Sequence, residues 1–215
     1  MESGEIIEKK GNFTNKSYNL KSVKQSIKNI RYLINSNFNG LRDDEYFITL
    51  TYAENMTDSK RLYKDFEKFI KKLKYMSKDL LYIGVVEPQG RGAWHVHLLL
   101  KNIQNLDNDI ISKKWGKGYT YLEVLNNVDN VGAYLSAYLT NTKEKKYARL
   151  YLYPKNMNIL RCSRNCKRPF KEKLHYKQFY EKYQHLRVKY VRSYDIYNGL
   201  QKINSVVFRS FVVGD

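Results

Sequence analysis

The sequence predicts an α+β fold in which helices pack on an antiparallel β-sheet. Four segments have helical spacing of apolar residues and four have strand character, in the order helix, strand, helix, strand, strand, helix, strand, helix. The two consecutive strands are joined by a loop with Pro and Gly, as is typical of an antiparallel hairpin. The 215 residues are enough to bury one good core, and 42% hydrophobic content is ordinary for a globular protein.

The predicted helices are amphipathic segments. The first covers residues 17–37, with its apolar residues three or four positions apart at Val23, Ile27, Ile30 and Ile34. Asp58 is a predicted N-cap for the second helix, 59–76. The buried stripe of that helix is expected at Leu62, Phe66, Phe69, Ile70 and Leu73. Further helices are predicted around 109–115 and at 128–140.

The predicted strands are short runs rich in β-branched and aromatic residues. They cover residues 46–52, 80–86, 94–100 and 119–125, and two more are expected at 186–194 and 205–213. Alternate side chains of a strand lie on the same face, so His95 and His97 point the same way. If the hairpin forms, Glu87 brings a carboxylate to the same edge, and the three residues can hold a divalent cation with open coordination positions. An isolated His-x-His pair is also found as ordinary sheet residues.

The charge of the chain is strongly positive. It has 39 Lys and Arg residues against 21 Asp and Glu, a net charge of +18 that favours a polyanion such as nucleic acid as the partner. A solvated basic surface or a membrane-surface protein is the alternative. The sequence has no long apolar segment and no apolar signal core, so we expect a cytoplasmic protein without a membrane partner. Cys162 and Cys166 predict neither a disulfide framework nor a zinc site.

The predicted helix at 128–140 carries two tyrosines. Tyr134 and Tyr138 are four residues apart, so both lie on one helical face, with Leu135 and Leu139 as the expected core-facing pair. Such a pair is often only a half-buried face. Beside a metal-binding strand and a basic surface, it becomes a candidate nucleophile.

Three motifs in order, residues 47–52, 87–100 and 134–138, resemble those of the HUH endonucleases. More narrowly, the chain is similar to the rolling-circle replication initiators (Rep proteins) of plasmids and small phages. The resemblance implies a ferredoxin-like or RRM-like sheet, Mg²⁺ or Mn²⁺ as cofactor, and His95, His97 and Glu87 as metal ligands. It also implies a tyrosine nucleophile, for which we favour Tyr138, with Tyr134 as a second nucleophile or a helper. The family's Tyr-x-x-Lys pattern is not matched, because Ala137 and Asn141 stand where lysine is expected.

The resemblance implies sequence-specific nicking and rejoining of single-stranded DNA at a replication origin, through a 5′-phosphotyrosine. The chain has no phosphate-binding loop of the ATPase type, so unwinding and synthesis are assigned to a helicase and a polymerase of a bacterial host. Two alternatives stay open. One is an HUH transposase or relaxase, and the other is a non-enzymatic protein that binds single-stranded nucleic acid.

Residues 143–177 are the most basic stretch, with 12 Lys and Arg against two Glu and aromatic residues between them. This composition is typical of a surface that follows a phosphate backbone and stacks bases, although a solvated basic face has the same composition. The candidate nucleic-acid-binding residues are Arg91, Lys143, Arg149, Arg161, Arg164, Lys167 and Arg168.

We therefore expect three regions along the chain. Residues 1–41 form a helical extension, 42–165 the endonuclease domain, and 166–215 a basic extension with strands, expected to pack on the same domain. The strands of the last region either extend the sheet or form a small origin-binding appendage.

Overall fold

The computed structural model describes residues 20–126, 130–133, 135, 152–154 and 157–213. The chain divides into two compact units, Met1–Pro169 and Phe170–Asp215. Among the described helices, none has the length and apolar character needed to cross a membrane.

The first unit is built on a five-stranded sheet with the strand order β4-β1-β3-β2-β5. Its strands are β1 (Leu41–Leu50), β2 (Leu81–Pro88), β3 (Trp94–Lys101), β4 (Thr120–Asn126) and β5 (Leu160–Cys162). Every pair of neighbours is antiparallel, which confirms the predicted α+β architecture with an antiparallel sheet. The strand with the two histidines, β3, lies at the centre, between β1 and β2. The short strand β5 was not predicted.

Helices α2 (Ser59–Lys74) and α3 (Asn108–Trp115) cover one face of the sheet. Asp58 caps α2 as predicted, because its carboxylate accepts hydrogen bonds from the Lys60 and Arg61 amides at 2.8 and 3.3 Å. The Phe66 ring lies so close to β2 that a Cβ atom at Gly84 would come within 3.2 Å of it. Glycine is therefore the residue that lets α2 approach the sheet at this point.

Helix α1 (Leu20–Asn35) lies over the other face. All four of its predicted apolar positions are buried. Ile30 and Leu33 share a cavity with Leu160 of β5, which pairs with Val85 and so lies on the same face as Val85. The first residues of the predicted tyrosine helix, 131–133 and 135, are also helical.

That second helix starts in close contact with α1. The Gly132 amide donates to Asn35 Oδ1 at 2.9 Å, and a Cβ atom at Gly132 would lie 2.7 Å from the Arg31 carbonyl oxygen. Val131 and Leu135 are buried, which agrees with the prediction that Leu135 faces the core. The absence of a side chain at residue 132 allows the two helices to approach each other this closely.

A buried ion pair holds the connection between α1 and β1. Glu45 is completely buried, and its carboxylate lies 2.6 Å from Lys101 Nζ. The other carboxylate oxygen accepts hydrogen bonds from the amides of Asn39 and Gly40 at 3.2 and 2.8 Å. A buried charge is tolerated when it is paired and hydrogen-bonded in this way.

The chain after β5 returns to α1. Asn37 makes two hydrogen bonds to the backbone of Lys167, one to its carbonyl oxygen at 2.9 Å and one from its amide at 2.8 Å. Cys166 is a buried free thiol that lies 3.3 Å from Ser163 Oγ. Burial raises the pKa of the Cys166 thiol above its ordinary value.

The second unit consists of a helix and a long hairpin. Helix α4 (Tyr176–Tyr183), which was not predicted, packs through Phe179 against Phe211, with ring centroids 5.1 Å apart. Strands β6 (Leu186–Asn198) and β7 (Gln201–Val213) form their own two-stranded antiparallel sheet and do not extend the five-stranded one. Gly199 has a φ of 59° in the two-residue turn, a conformation that glycine adopts without strain.

Candidate functional site

The β2–β3 hairpin brings the three predicted metal ligands to one face of the sheet. Glu87 lies directly opposite His95, and Val85 lies opposite His97. Directly opposite residues of antiparallel strands share a face, as do residues two apart on one strand. Glu87, His95 and His97 therefore lie on the same side, as the sequence predicted, and this is the side covered by α1.

Glu87 contacts His97. The Glu87 Oε2 atom lies 3.0 Å from His97 Nε2, and the side chains of the two residues are 12% and 5% exposed. Because both groups are shielded from water, their interaction is stronger than that of an exposed pair.

The other ring nitrogen of His97 is held by a residue that sequence reasoning missed. Thr49 lies opposite His97 on β1, and its Oγ1 atom is 3.2 Å from His97 Nδ1. Phe47 stacks on the same imidazole, with centroids 5.8 Å apart and planes 9° from parallel. Thr49 and Phe47 are both part of the motif at 47–52. The strand register, which the sequence does not reveal, is what assigns them to His97.

The imidazole of His97 admits two proton arrangements. If Nε2 carries the proton, it donates to Glu87, and Nδ1 accepts a hydrogen bond from the Thr49 hydroxyl. If Nδ1 carries the proton, it donates to Thr49, and Nε2 presents a lone pair to the Glu87 carboxylate. In the second arrangement two electron-rich atoms face each other at 3.0 Å, so a cation between them would be stabilising.

His95, the third residue of the predicted set, lies two residues before His97 on β3. It is half-buried, and its ring meets that of His97 edge to face, with centroids 6.1 Å apart. Within the part of the chain that the structure describes, no group of three or more His, Cys, Asp and Glu side chains is arranged closely enough to hold a metal ion. Glu87 and His97 are thus a pair of potential metal ligands in direct contact, and His95 lies beside this pair.

The ligand atoms of the Glu87–His97 pair suit a divalent cation. Imidazole nitrogen and carboxylate oxygen are ordinary ligands of Mn²⁺, and carboxylate oxygen is the ligand that Mg²⁺ prefers. Adjacent ligands of an octahedral ion with bonds of about 2.1 Å are about 3 Å apart, and the Glu87 and His97 atoms are separated by 3.0 Å. The residues present therefore suit the cofactor that the resemblance implies.

The two candidate nucleophiles, Tyr134 and Tyr138, lie outside the described residues. The structure describes only the start of the helix that the sequence predicts to carry them. The Asn130 side chain accepts a hydrogen bond from the Ala133 amide at 2.8 Å, which is a helix N-cap contact. The contact of Gly132 with α1 places this helix start on the side of the sheet that carries His97.

The candidate nucleic-acid-binding residues fall into several groups. Lys143 and Arg149 lie outside the described residues. Arg91 is exposed in the β2–β3 loop, where its Nε atom donates to Gln89 Oε1 at 2.9 Å. An exposed group after β5 consists of Arg164, Lys167 and Arg168.

Arg161 differs from that group. It is half-buried, and its guanidinium lies over the Tyr63 ring at 3.9 Å from the centroid. It pairs with Gly84, so it lies on the α2 face of the sheet, opposite to the histidines. The Arg161 guanidinium is therefore engaged in a cation–π contact with Tyr63 within the protein.

Comparison with known proteins identifies a similarity over the central part of the chain. Residues 45–143 match the model of a family described as replication-associated protein ORF2. The matched stretch begins in β1, includes the β2–β3 hairpin with Glu87, His95 and His97, and extends beyond Tyr138. Neither a search of curated proteins nor a search of solved structures returned a match. The similarity supports a replication initiator role of the Rep type for this chain.

Proposed function

We propose that this chain initiates rolling-circle DNA replication as an endonuclease of the HUH type. It nicks and rejoins one DNA strand at an origin with the help of Mg²⁺ or Mn²⁺ and a tyrosine nucleophile. The observation that carries the proposal is the 3.0 Å contact between Glu87 and His97, with His95 beside it, inside the stretch that matches the replication-associated family.

His95, His97 and Glu87 would hold the cation in this proposal. When bound, the cation supplies positive charge that polarises the scissile phosphate and neutralises charge developing on its nonbridging oxygens. Thr49 and Phe47 hold the His97 ring in place through its Nδ1 atom and its face. Such contacts orient a ligand and select its protonated nitrogen.

Tyrosine is the proposed nucleophile, and Tyr138 is the favoured one. The phenol oxygen attacks phosphorus in line, so a Tyr–O–P bond forms as the P–O3′ bond of the DNA breaks. The phenol proton passes to water, and the departing 3′ oxygen takes up a proton. The product is a 5′-phosphotyrosine and a free 3′-hydroxyl. The step is reversible because one phosphodiester replaces another, so the same residues can rejoin the strand.

The basic surface is assigned to the DNA. Arg91, Arg164, Lys167 and Arg168 are exposed and able to contact phosphates, while Lys143 and Arg149 are proposed from the sequence alone. Single-stranded DNA at a replication origin is the proposed substrate. A host helicase and a host polymerase are the proposed partners, because the free 3′-hydroxyl can prime synthesis.

A non-enzymatic nucleic-acid-binding role is the second candidate. It is favoured by the contact that the Glu87 carboxylate and His97 Nε2 already make with each other at 3.0 Å. Such a protein would bind single strands on the same sheet and form no covalent product.

A covalent-adduct assay separates these candidates. The full chain is incubated with a pool of random single-stranded DNA and Mn²⁺, and the products are run on a denaturing gel. We expect a protein band shifted by covalently attached DNA, which disappears when a chelator is added before the DNA. The same preparation must bind single-stranded DNA in the chelator. Binding without any adduct in Mn²⁺ would contradict the endonuclease and support the binding protein.

A further inference from the structure

The β6–β7 hairpin of the second unit exposes a row of aromatic side chains on one face. Tyr190 and Tyr194 lie on this face of β6, and Phe208 lies between their levels on β7, because it pairs with Arg192. These three residues, Tyr190, Tyr194 and Phe208, form what we call the aromatic stripe. They are 51%, 53% and 51% exposed, which is unusual for large apolar side chains.

Helix α4 lies on the opposite face of the hairpin. Its residues Phe179 and Tyr180 line a groove together with Val207 and Phe211, which the strand alternation places away from the stripe. The second unit thus uses its helix to cover one face of its sheet. In the part of this unit that the structure describes, the stripe face has no covering element.

The rings of the stripe are accessible to unpaired bases. Successive levels of the stripe are two residues apart along the ribbon, about 6.8 Å, and the Tyr190 and Phe208 ring centroids are separated by 6.2 Å. These two rings meet edge to face, with planes 61° from parallel, and both side chains are about half exposed, so an unpaired base can stack on them from the solvent side. Aromatic side chains in such rows stack bases of a single strand whatever their sequence.

The charge of the hairpin is complementary to DNA. Residues 186–213 carry five Lys and Arg against one Asp, and that Asp195 is paired with Lys202 at 2.9 Å. Arg192 stands on the stripe face itself, between the levels of Tyr190 and Tyr194. A guanidinium among aromatic rings can contact a phosphate while the rings hold the neighbouring bases.

We propose that the stripe face of the β6–β7 hairpin is a binding surface for single-stranded DNA that uses none of the residues of the proposed nicking site. Duplex DNA is a poorer occupant, because its bases are already stacked on one another. A β-ribbon in a groove of the duplex meets base edges and phosphates, and the base faces are not available to the aromatic rings. A second copy of this chain is also a poorer occupant, because it would bring the same positive charge to the interface. The surface binds a single strand without requiring a metal ion or cleavage of the DNA.

The test measures binding of the full chain to a short mixed-sequence oligonucleotide by fluorescence anisotropy, in a chelator so that no nicking occurs. We expect the variant Tyr190→Ala/Tyr194→Ala/Phe208→Ala to lose at least tenfold in affinity for the single strand and less than twofold for the duplex. Its salt dependence should stay unchanged, because its phosphate-binding cations are all retained. Arg192→Gln should lower the salt slope by about 1.

Tyr197→Ala is the matched control, because Tyr197 is exposed on the same strand but alternation places it on the other face. We expect its affinity to match that of the unmodified chain. An abasic single strand should bind the unmodified chain and the triple variant equally, since it offers no base to stack. Equal affinity of the unmodified chain and the triple variant for the single strand with all its bases would overturn the proposal. Sedimentation that shows a dimer of the unmodified chain and a monomer of the triple variant would overturn it in favour of a second copy.

A second variant tests binding at the stripe without removing its aromatic rings. Tyr194→Trp keeps an aromatic ring at the stripe, and both natural tryptophans, Trp94 and Trp115, belong to the first unit. The fluorescence added by this tryptophan should be quenched by the single strand and not by the duplex. Absence of quenching would overturn the proposal even if the triple variant fails to fold. Because the readouts are made without metal, they are independent of whether the chain nicks DNA.

Discussion

The carboxylate of Glu87 lies against the Nε2 atom of His97, at 3.0 Å, although Glu87 is directly opposite His95 in the hairpin. The contact is thus diagonal across the two strands. Diagonal neighbours are within reach of long side chains in an antiparallel pair. As a result, the Glu87 carboxylate contacts His97, which is the more buried of the two histidines. Thr49 contacts the other ring nitrogen of the same histidine.

The first prediction concerns His97. His97→Ala removes one proposed ligand, so it should abolish Mn²⁺-dependent adduct formation while leaving affinity for single-stranded DNA within a few-fold. A thermal scan provides a second measurement, since a metal that binds the folded state raises the melting temperature. We expect Mn²⁺ to raise it for the unmodified chain and not for His97→Ala. Unchanged cleavage by this variant would remove the metal-site proposal.

The second prediction assigns Thr49 to the orientation of His97. Thr49→Val keeps the shape of the side chain but loses the oxygen that lies 3.2 Å from Nδ1. Removal of such an outer hydrogen bond typically lowers metal affinity by about 10-fold to 100-fold, and titration calorimetry with Mn²⁺ would measure this. Thr49→Ser retains a hydroxyl and should restore most of the affinity. If Val and Ser variants bind Mn²⁺ equally well, Thr49 has only a packing role.

The third prediction separates the tyrosines. Tyr138→Phe removes the proposed attacking oxygen and keeps the ring, so DNA affinity should be retained and the covalent adduct should be absent from the denaturing gel. Tyr134→Phe should still form the adduct. The reverse result would make Tyr134 the nucleophile, and loss of the adduct only in the double variant would show that both residues can attack. An adduct formed by the double variant would exclude this helix as the source.

The fourth prediction concerns the exposed basic group. Changing Arg164, Lys167 and Arg168 together to Gln should weaken DNA binding and flatten its salt dependence, by about 1 for each phosphate that is no longer neutralised. Arg161→Gln should change the slope much less, because this guanidinium lies over the Tyr63 ring. Binding over a range of salt concentrations measures both. A slope that the triple variant leaves unchanged would mean that the DNA follows another path.

The fifth prediction concerns stability. Lys101→Met leaves the completely buried Glu45 carboxylate without its cation. Breaking a buried pair in this way costs about 3 kcal/mol or more of unfolding free energy, which a urea titration would detect. Lys74→Met is the control, because Lys74 is exposed at the end of α2 and should change stability by less than about 0.5 kcal/mol. Equal stability of the two variants would show that Glu45 does not require its partner.

Much of the local structure was determined by the sequence alone. The capped, strongly periodic segment after Asp58 becomes α2, and the paired apolar runs around the Pro and Gly loop become the β2–β3 hairpin. These elements are predictable because capping, periodicity and turn chemistry act between residues close in the chain. The same local logic placed Glu87, His95 and His97 on one face.

The tertiary structure alone decided the rest. Strand β5 has only three residues, and α4 has His175 at its N-cap, which is not one of the usual capping residues, so neither had a readable pattern. Thr49 became a partner of His97, and Arg161 a partner of Tyr63, only through pairing of distant strands and packing of α2. Register and long-range packing depend on how whole elements share one core, and spacing along the chain does not encode that directly.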